Sequence, residues 1–299
     1  MYLFTIYSDL HLLKTLKYFC TNQILNNLNL NLESRNISTV MNKTKKNHSK
    51  NAALLLVIVI GIFLLLSSPV LAGEVNIHWG YGGVENPTQW GSLSKDFVMC
   101  ELGKVQSPIN IKDAVMGSPT TIKFDYKSSP LVTLNNGHTI QVNYAEGSTI
   151  NINGEKYSLI QFHFHTPSEH EINNKASALE LHLVHRNTAG KLAVVGVLFN
   201  KGKANDLIEE VWNNIPEVGK TNTVSNHTIN AANLLPKGRA YYSYAGSLTT
   251  PPCSEDVKWN ILVEPMTVSE EQIEAFTKIY PVDARPIQPI NGRTIKLHQ

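Results

Sequence analysis

Between residues 139 and 199 apolar and polar positions alternate with a period of two, in runs broken by Gly, Asn or Pro. The runs TIQVNY (139–144), STINI (148–152), EKYSLIQFHFHT (155–166), ALELHLVHR (178–186) and LAVVGVLF (192–199) are rich in β-branched and aromatic residues and read as strands. Asn136-Gly137 and Asn153-Gly154 mark turns. Only two segments read as helices, NDLIEEVWNNI (205–215) and EEQIEAFTKIY (270–280), the second opened by Ser269 and Gln272 in a capping-box pattern. No repeat, low-complexity tract or linker follows Gly73. Residues 73–299 therefore read as one mainly antiparallel β domain.

A different pattern precedes this body. An apolar stretch from Ala52 to Leu66 follows Lys43, Lys45, Lys46 and Lys50 and runs into SSPVLAGE. A positive segment, an apolar core and the small residues Val70 and Ala72 make a signal peptide over 41–72, cleaved after Ala72. A membrane anchor is the competing reading, since the run reaches about 20 residues if carried to Ala72. Ser67, Ser68 and Pro69 break it where a peptidase needs it broken. The body is thus expected to be exported, periplasmic or secreted, with no membrane attachment after cleavage. Residues 1–40 read as a doubtful upstream leader, with Met41 as an alternative start.

Charge follows the same division. The formal net charge is +2, but seven of the 26 basic residues and only Asp9 and Glu33 of the 24 acids precede Gly73. The body carries 19 basic against 22 acidic residues, a balance of −3, and has no Lys/Arg block. A nucleic-acid partner is excluded on that ground. Cys20 falls in the leader, which leaves Cys100 and Cys253 as one disulfide in an oxidising compartment or as two buried thiols.

The candidate chemistry lies in the third strand. Alternation places Leu159, Gln161, His163 and His165 on one face of 155–166, with Ile160, Phe162 and Phe164 on the other. The two imidazoles stand roughly 6.6 Å apart at Cα, a span that two Zn–N bonds of about 2.0–2.1 Å can close. In 178–186, Glu180, His182 and Val184 share a face opposite Leu181, Leu183 and His185. If the two strands pair antiparallel, His182 faces the His163/His165 pair, giving three protein ligands and an open position, as in catalytic zinc sites. His78, His170, His185, His227 and His298 read as ordinary partnered histidines. HxHxxxE also describes a cupin set of His163, His165 and Glu169, but the glycines that pattern requires are replaced by Tyr157 and Ala176.

With these residues goes a series of motifs in order: HWGYGG (78–83) with Trp90, QSPINI (106–111), NNGH (135–138), QFHFHTPSEH (161–170), ELHLVH (180–185), GSLTTPPC (246–253), WNILVEP (259–265) and RPIQP (285–289). From about Trp79 almost to Leu297 the chain resembles the alpha carbonic anhydrases. The resemblance implies one domain on a large twisted, mostly antiparallel central sheet with a few short helices. It implies Zn2+ on His163, His165 and His182, and reversible hydration of carbon dioxide to bicarbonate by zinc-bound hydroxide. Gln161 and Glu180 match acceptors that orient the imidazoles. Glu169 and Thr249 match the pair that orients the hydroxide, with Thr250 beside the bound bicarbonate. Val184, Val194, Leu248, Val257 and Trp259 match the apolar wall that receives carbon dioxide. Tyr81 and His138 match the polar side, His138 as proton shuttle. Cys100 and Cys253 match the disulfide of exported members. Thr166 stands where many animal relatives have Trp, and the following loop is shorter, as in bacterial and plant members. Hydrolysis of activated esters would be incidental. The rival reading is a non-catalytic binding protein on the same fold, and edge strands leave a homodimer open.

Overall fold

The structure, a computed structural model, describes residues 77–299. The leader, the signal-peptide segment and the expected N-terminus at Gly73 lie outside the described residues. Four strands come first: β1 (Asn110–Ile111), β2 (Val115–Met116), β3 (Ile122–Asp125) and β4 (Ser129–Asn135). The period-two runs then form β5 (Ile140–Asn143), β6 (Thr149–Ile152) and β7 (Glu155–His165). After the two-residue strands β8 (Glu171–Ile172) and β9 (Lys175–Ala176) come β10 (Leu179–Arg186) and β11 (Leu192–Lys201). The remaining strands are β12 (Thr221–Ile229), β13 (Tyr241–Gly246), β14 (Val257–Leu262), β15 (Met266–Val268) and β16 (Lys296–His298).

One sheet runs in the order β12-β4-β5-β7-β10-β11-β14-β13-β16-β2, with β15 beside β11, β6 beside β7 and β3 beside β6. The expectation of a mostly antiparallel sheet holds, but β11 is parallel to β14 and β15, and β16 to β2. A parallel neighbour requires a crossover, and the chain between β11 and β14 supplies one long enough to add β12 and β13 elsewhere in the sheet.

Both expected helices form, one within the crossover and one after β15, though each is shorter than its sequence pattern. They follow two single-turn helices, α1 (Trp90–Leu93) and α2 (Met99–Leu102). The helix α3 (Asp206–Trp212) is capped by Asn205, whose side chain accepts from the N–H groups of Leu207 and Ile208. In α4 (Glu270–Thr277) both halves of the Ser269/Gln272 capping box form. Among the described residues no helix is long and apolar enough to cross a membrane.

The sheet buries both faces. Phe162, Phe164, Leu181, Leu183, Val195 and Val197 form the main core with Leu207, Ile208 and Phe276 of the helices. On the other face Ile109, Ile111, Val194, Leu198, Val257, Trp259 and Ile261 form a smaller cluster. Val194 and Val195 thus pack on opposite sides, which is why β11 reads as a continuous apolar run.

One face assignment is corrected. Along β10, Val184 pairs with Gln161 but His185 pairs with Leu159, so β7 carries an extra residue there. This bulge reverses the alternation. Leu159, expected beside Gln161 and the histidines, is buried in the main core with Phe162 and Phe164.

Candidate active site and metal centre

Register across five strands builds the site. His163 pairs with Gln141 of β5 and with His182 of β10, while His182 pairs on its other side with Gly196 of β11. One residue pair along, Gln161 meets Val184, Val184 meets Val194, and Val194 meets Trp259. The β5–β7 side of this face is therefore polar and the β11–β14 side apolar.

Each imidazole has one nitrogen occupied and the other turned inward. His163 Nδ1 bonds Gln161 Oε1 at 2.9 Å, His165 Nδ1 bonds the Asp283 carbonyl at 2.6 Å, and His182 Nε2 bonds Glu180 Oε1 at 2.9 Å. Donor atoms from the three side chains converge to within 4.8 Å of one another. His165 Nε2, buried, has no hydrogen-bond partner. Metal-binding histidines use their second nitrogen in this way.

The charges suit a cation. Burial holds His163 well below the usual histidine range, with His165 and His182 adding to the effect, and burial also lowers His182. Both are thereby kept neutral, as ligands must be. At His165 burial works against the charged form, but Glu169 and Asp283 outweigh it and raise the pKa. Burial pushes Asp283 up to about 7, against the pull of His165. Glu180, equally buried, is held well below the carboxylate range because His170 and His182 overcome its desolvation. Two imidazoles held neutral and a third flanked by buried carboxylates fit a divalent ion that prefers imidazole, such as zinc.

Glu169 is 2% exposed. Its Oε1 accepts from the Arg285 backbone N–H at 2.9 Å, while Oε2 has no partner and lies 3.6 Å from His165 Nε2 and 3.9 Å from His182 Nδ1. Thr249, also buried, forms no hydrogen bond to Glu169, so the structure brings the carboxylate to the imidazoles but does not join the expected pair. Val184, Val194, Leu248, Val257 and Trp259 meet in the smaller core cluster, and the Trp259 ring lies 4.8 Å from that of His182.

The polar side opens into a cavity of about 110 Å³ lined by Tyr81, Asn136, His138, Gln141, His163 and Thr250, among others. Tyr81 Oη is buried without a partner, and burial followed by the charges of Glu169 and Asp283 raises its pKa well above the usual tyrosine value. His138 stacks on Trp79 with ring centres 3.6 Å apart and planes 6° from parallel. Burial and then His78 lower its pKa.

The other histidines among the described residues are partnered as expected. His170, fully buried, joins Glu180 Oε1 at 2.7 Å to Tyr244 Oη at 2.6 Å. His185 meets Tyr126 Oη, His227 meets Glu210, His298 meets Ser243, and His78 meets Glu85. Cys100 and Cys253 are disulfide-bonded, with Cα atoms 5.0 Å apart. Sequence reasoning missed Asp283 and Arg285 as partners of His165 and Glu169. They lie more than a hundred residues away along the chain, and RPIQP, which begins at Arg285, was the only signal near them.

Comparison with known proteins places this geometry. Residues 85–299 match the family model described as eukaryotic-type carbonic anhydrase. A carbonic anhydrase of Pectobacterium carotovorum is 44% identical over 239 residues, covering 79% of this chain and 98% of that protein. A hyperthermostable carbonic anhydrase from an active hydrothermal vent chimney superposes with a TM-score of 0.73 at 48% identity, over 74% of this chain and all of the other. The alpha-carbonic anhydrase of Thermovibrio ammonificans, solved with the inhibitor sulfanilamide, gives 0.72 at 43% identity over 74% of this chain and 99% of its own. With match and geometry in agreement, the chain belongs to the eukaryotic-type, or alpha, carbonic anhydrase family of enzymes, which interconvert carbon dioxide and bicarbonate.

Proposed function

We propose that the chain is an exported zinc enzyme in which His163, His165 and His182 hold the metal, Glu169 and Thr249 orient the nucleophile, and His138 carries the proton away. The observation that carries this reading is the set of three inward imidazole nitrogens, each with its other nitrogen fixed by an acceptor. Zinc bound there supplies a water whose pKa falls to about 7, an effect for which carbonic anhydrase is itself the established example.

The protein's own groups do the rest. Gln161, Glu180 and the Asp283 carbonyl set the tautomer and aim of the imidazoles. Carbon dioxide has no charge to grip, so Val184, Val194, Leu248, Val257 and Trp259 receive it by excluding water. Arg285 occupies Oε1 of Glu169, which leaves Oε2 as the acceptor for the Thr249 hydroxyl. The Thr249 oxygen then acts as acceptor and turns a lone pair of the attacking oxygen toward carbon, while Thr250 faces the product from the cavity. Export is supported by the disulfide, which persists in oxidising compartments.

The deciding experiment is metal analysis with stopped-flow carbon dioxide hydration on protein beginning at Gly73. One zinc per chain and fast hydration are expected, with both lost in His182→Ala. Stoichiometric zinc retained by His182→Ala would overturn the ligand assignment. Full zinc occupancy without hydration would favour the binding-protein reading.

A further inference from the structure

A buried guanidinium needs partners, and those of Arg285 are all neutral. Arg285 is 2% exposed. Nη1 donates to Gln106 Oε1 at 2.9 Å and to the Ser107 carbonyl at 2.7 Å, and Nη2 donates to the Cys100 carbonyl at 3.0 Å. Among the described residues no carboxylate lies within ion-pair distance of it. Burial lowers its pKa to about 10. Burying a charge without a counter-ion is costly, so the arrangement calls for a reason beyond stability.

The reason lies in what the side chain fastens. The Arg285 backbone N–H holds Glu169 Oε1 at 2.9 Å. Two residues earlier, Asp283 holds His165 through its carbonyl at 2.6 Å and the Thr166 N–H through Oδ1 at 2.6 Å. The planar, multiply bonded guanidinium ties this segment rigidly to residues 100–107. Those residues are tied in turn to the chain carrying Thr249: Gln106 Nε2 donates to the Cys253 carbonyl at 3.0 Å, and Cys100 is disulfide-bonded to Cys253.

We propose that Arg285 is a positioning residue that sets Glu169 against Thr249, by locking the backbone that holds Glu169 to the segment that anchors the Thr249 loop. The proposal rests on the role given to that pair under the proposed function. It assigns Arg285 no contact with substrate.

The test is a double-mutant cycle read per bound zinc. Arg285→Lys keeps the charge but loses the fork, and Gln106→Met removes one acceptor of the guanidinium and the link to the Cys253 carbonyl while leaving Ser107 and Cys100. Both should lower kcat/KM per zinc, by at least five-fold for Arg285→Lys and two- to three-fold for Gln106→Met. Thr249→Ala alone should cost ten-fold or more. Adding Arg285→Lys to Thr249→Ala should cost almost nothing further, because the relationship it protects is already gone. A structural role alone would lower melting temperature and zinc content yet leave kcat/KM per zinc intact. That outcome, or additive losses in the double variant, overturns the proposal. If Arg285→Lys does not fold, Gln106→Met and its combination with Thr249→Ala decide by the same criterion. If Thr249→Ala retains full kcat/KM per zinc, the reading of the pair fails and takes the proposal with it.

Discussion

Glu180 and His182 meet at 2.9 Å through Oε1 and Nε2, and the same oxygen also lies 2.7 Å from His170 Nδ1. One buried carboxylate oxygen therefore serves both an imidazole of the proposed metal set and a structural one. Gly196 makes this possible, since a Cβ there would stand 3.1 Å from that oxygen and 2.5 Å from Ile261 Cδ1.

Glu180→Gln removes the negative charge while keeping the shape. Its amide oxygen can still face both imidazoles but without the charge, and its NH2 group then meets the His170 backbone N–H from which Oε2 accepts. Partners of this kind typically affect metal affinity by about 10- to 100-fold. Zinc dissociation into excess chelator should accelerate by a similar factor with the fold retained. An unchanged off-rate would remove Glu180 from the ligand-orienting set.

His185 predicts how stability depends on pH. Burial lowers its pKa to about 3 in the folded protein, against about 6.5 when unfolded. Below pH 6.5 the unfolded chain takes up a proton that the folded chain refuses, so stability falls with falling pH until about pH 3. The full effect is on the order of 4 to 5 kcal/mol, with about 2 of it lost between pH 6.5 and 5. Urea unfolding of His185→Gln should show a pH dependence flatter by about that amount. Parallel curves for the two proteins would mean that His185 is charged or exposed in solution.

Much of this was legible in the sequence because a strand's period of two assigns faces locally. His163, His165 and His182 converge as their spacing implied, and β10 keeps Glu180 and Val184 beside His182. Local pattern fails where geometry is not local. The bulge that turns Leu159 into the core leaves no mark on the alternation. The edge strand β12 is polar along most of its length and β4 contains Pro130, so neither resembles a strand in isolation. Asp283 and Arg285 reach His165 and Glu169 through backbone atoms, which any residue type supplies.

The Cys100–Cys253 disulfide spans 153 residues. In the chain-entropy model a loop of that length stabilises by about 5 kcal/mol, and measured values often fall short. Reduction, or Cys100→Ser with Cys253→Ser, should lower unfolding free energy by about 3 to 5 kcal/mol. A loss below about 1 kcal/mol would mean that hydrogen bonds to this region, such as Arg285 to Cys100 and Gln106 to Cys253, hold it without the bond.

His138 is tested by a rate limit. A proton leaving a group of pKa about 7 for water is bounded by the reverse reaction, about 10¹⁰ per molar per second, multiplied by an acid constant of about 10⁻⁷ M. The product is about 10³ per second, well below the turnover near 10⁶ for which carbonic anhydrase is the established example. A carrier titrating near neutrality has to bridge the difference, and histidine is the side chain suited to it. His138 and His163 line one cavity, and stacking on Trp79 holds the His138 ring in place. Burial and His78 lower its pKa, which makes it a weaker acceptor of the proton but a faster donor to solvent. His138→Ala should therefore reduce kcat for hydration ten-fold or more and leave kcat/KM, which reports attack on carbon dioxide, nearly unchanged. Trp79→Ala should produce a smaller loss in the same parameter, because the ring loses its support but keeps its chemistry. Imidazole buffer should restore much of the lost kcat in both. If kcat and kcat/KM fall together, or buffer restores nothing, the proton leaves by another route and His138 is a surface histidine beside a turn.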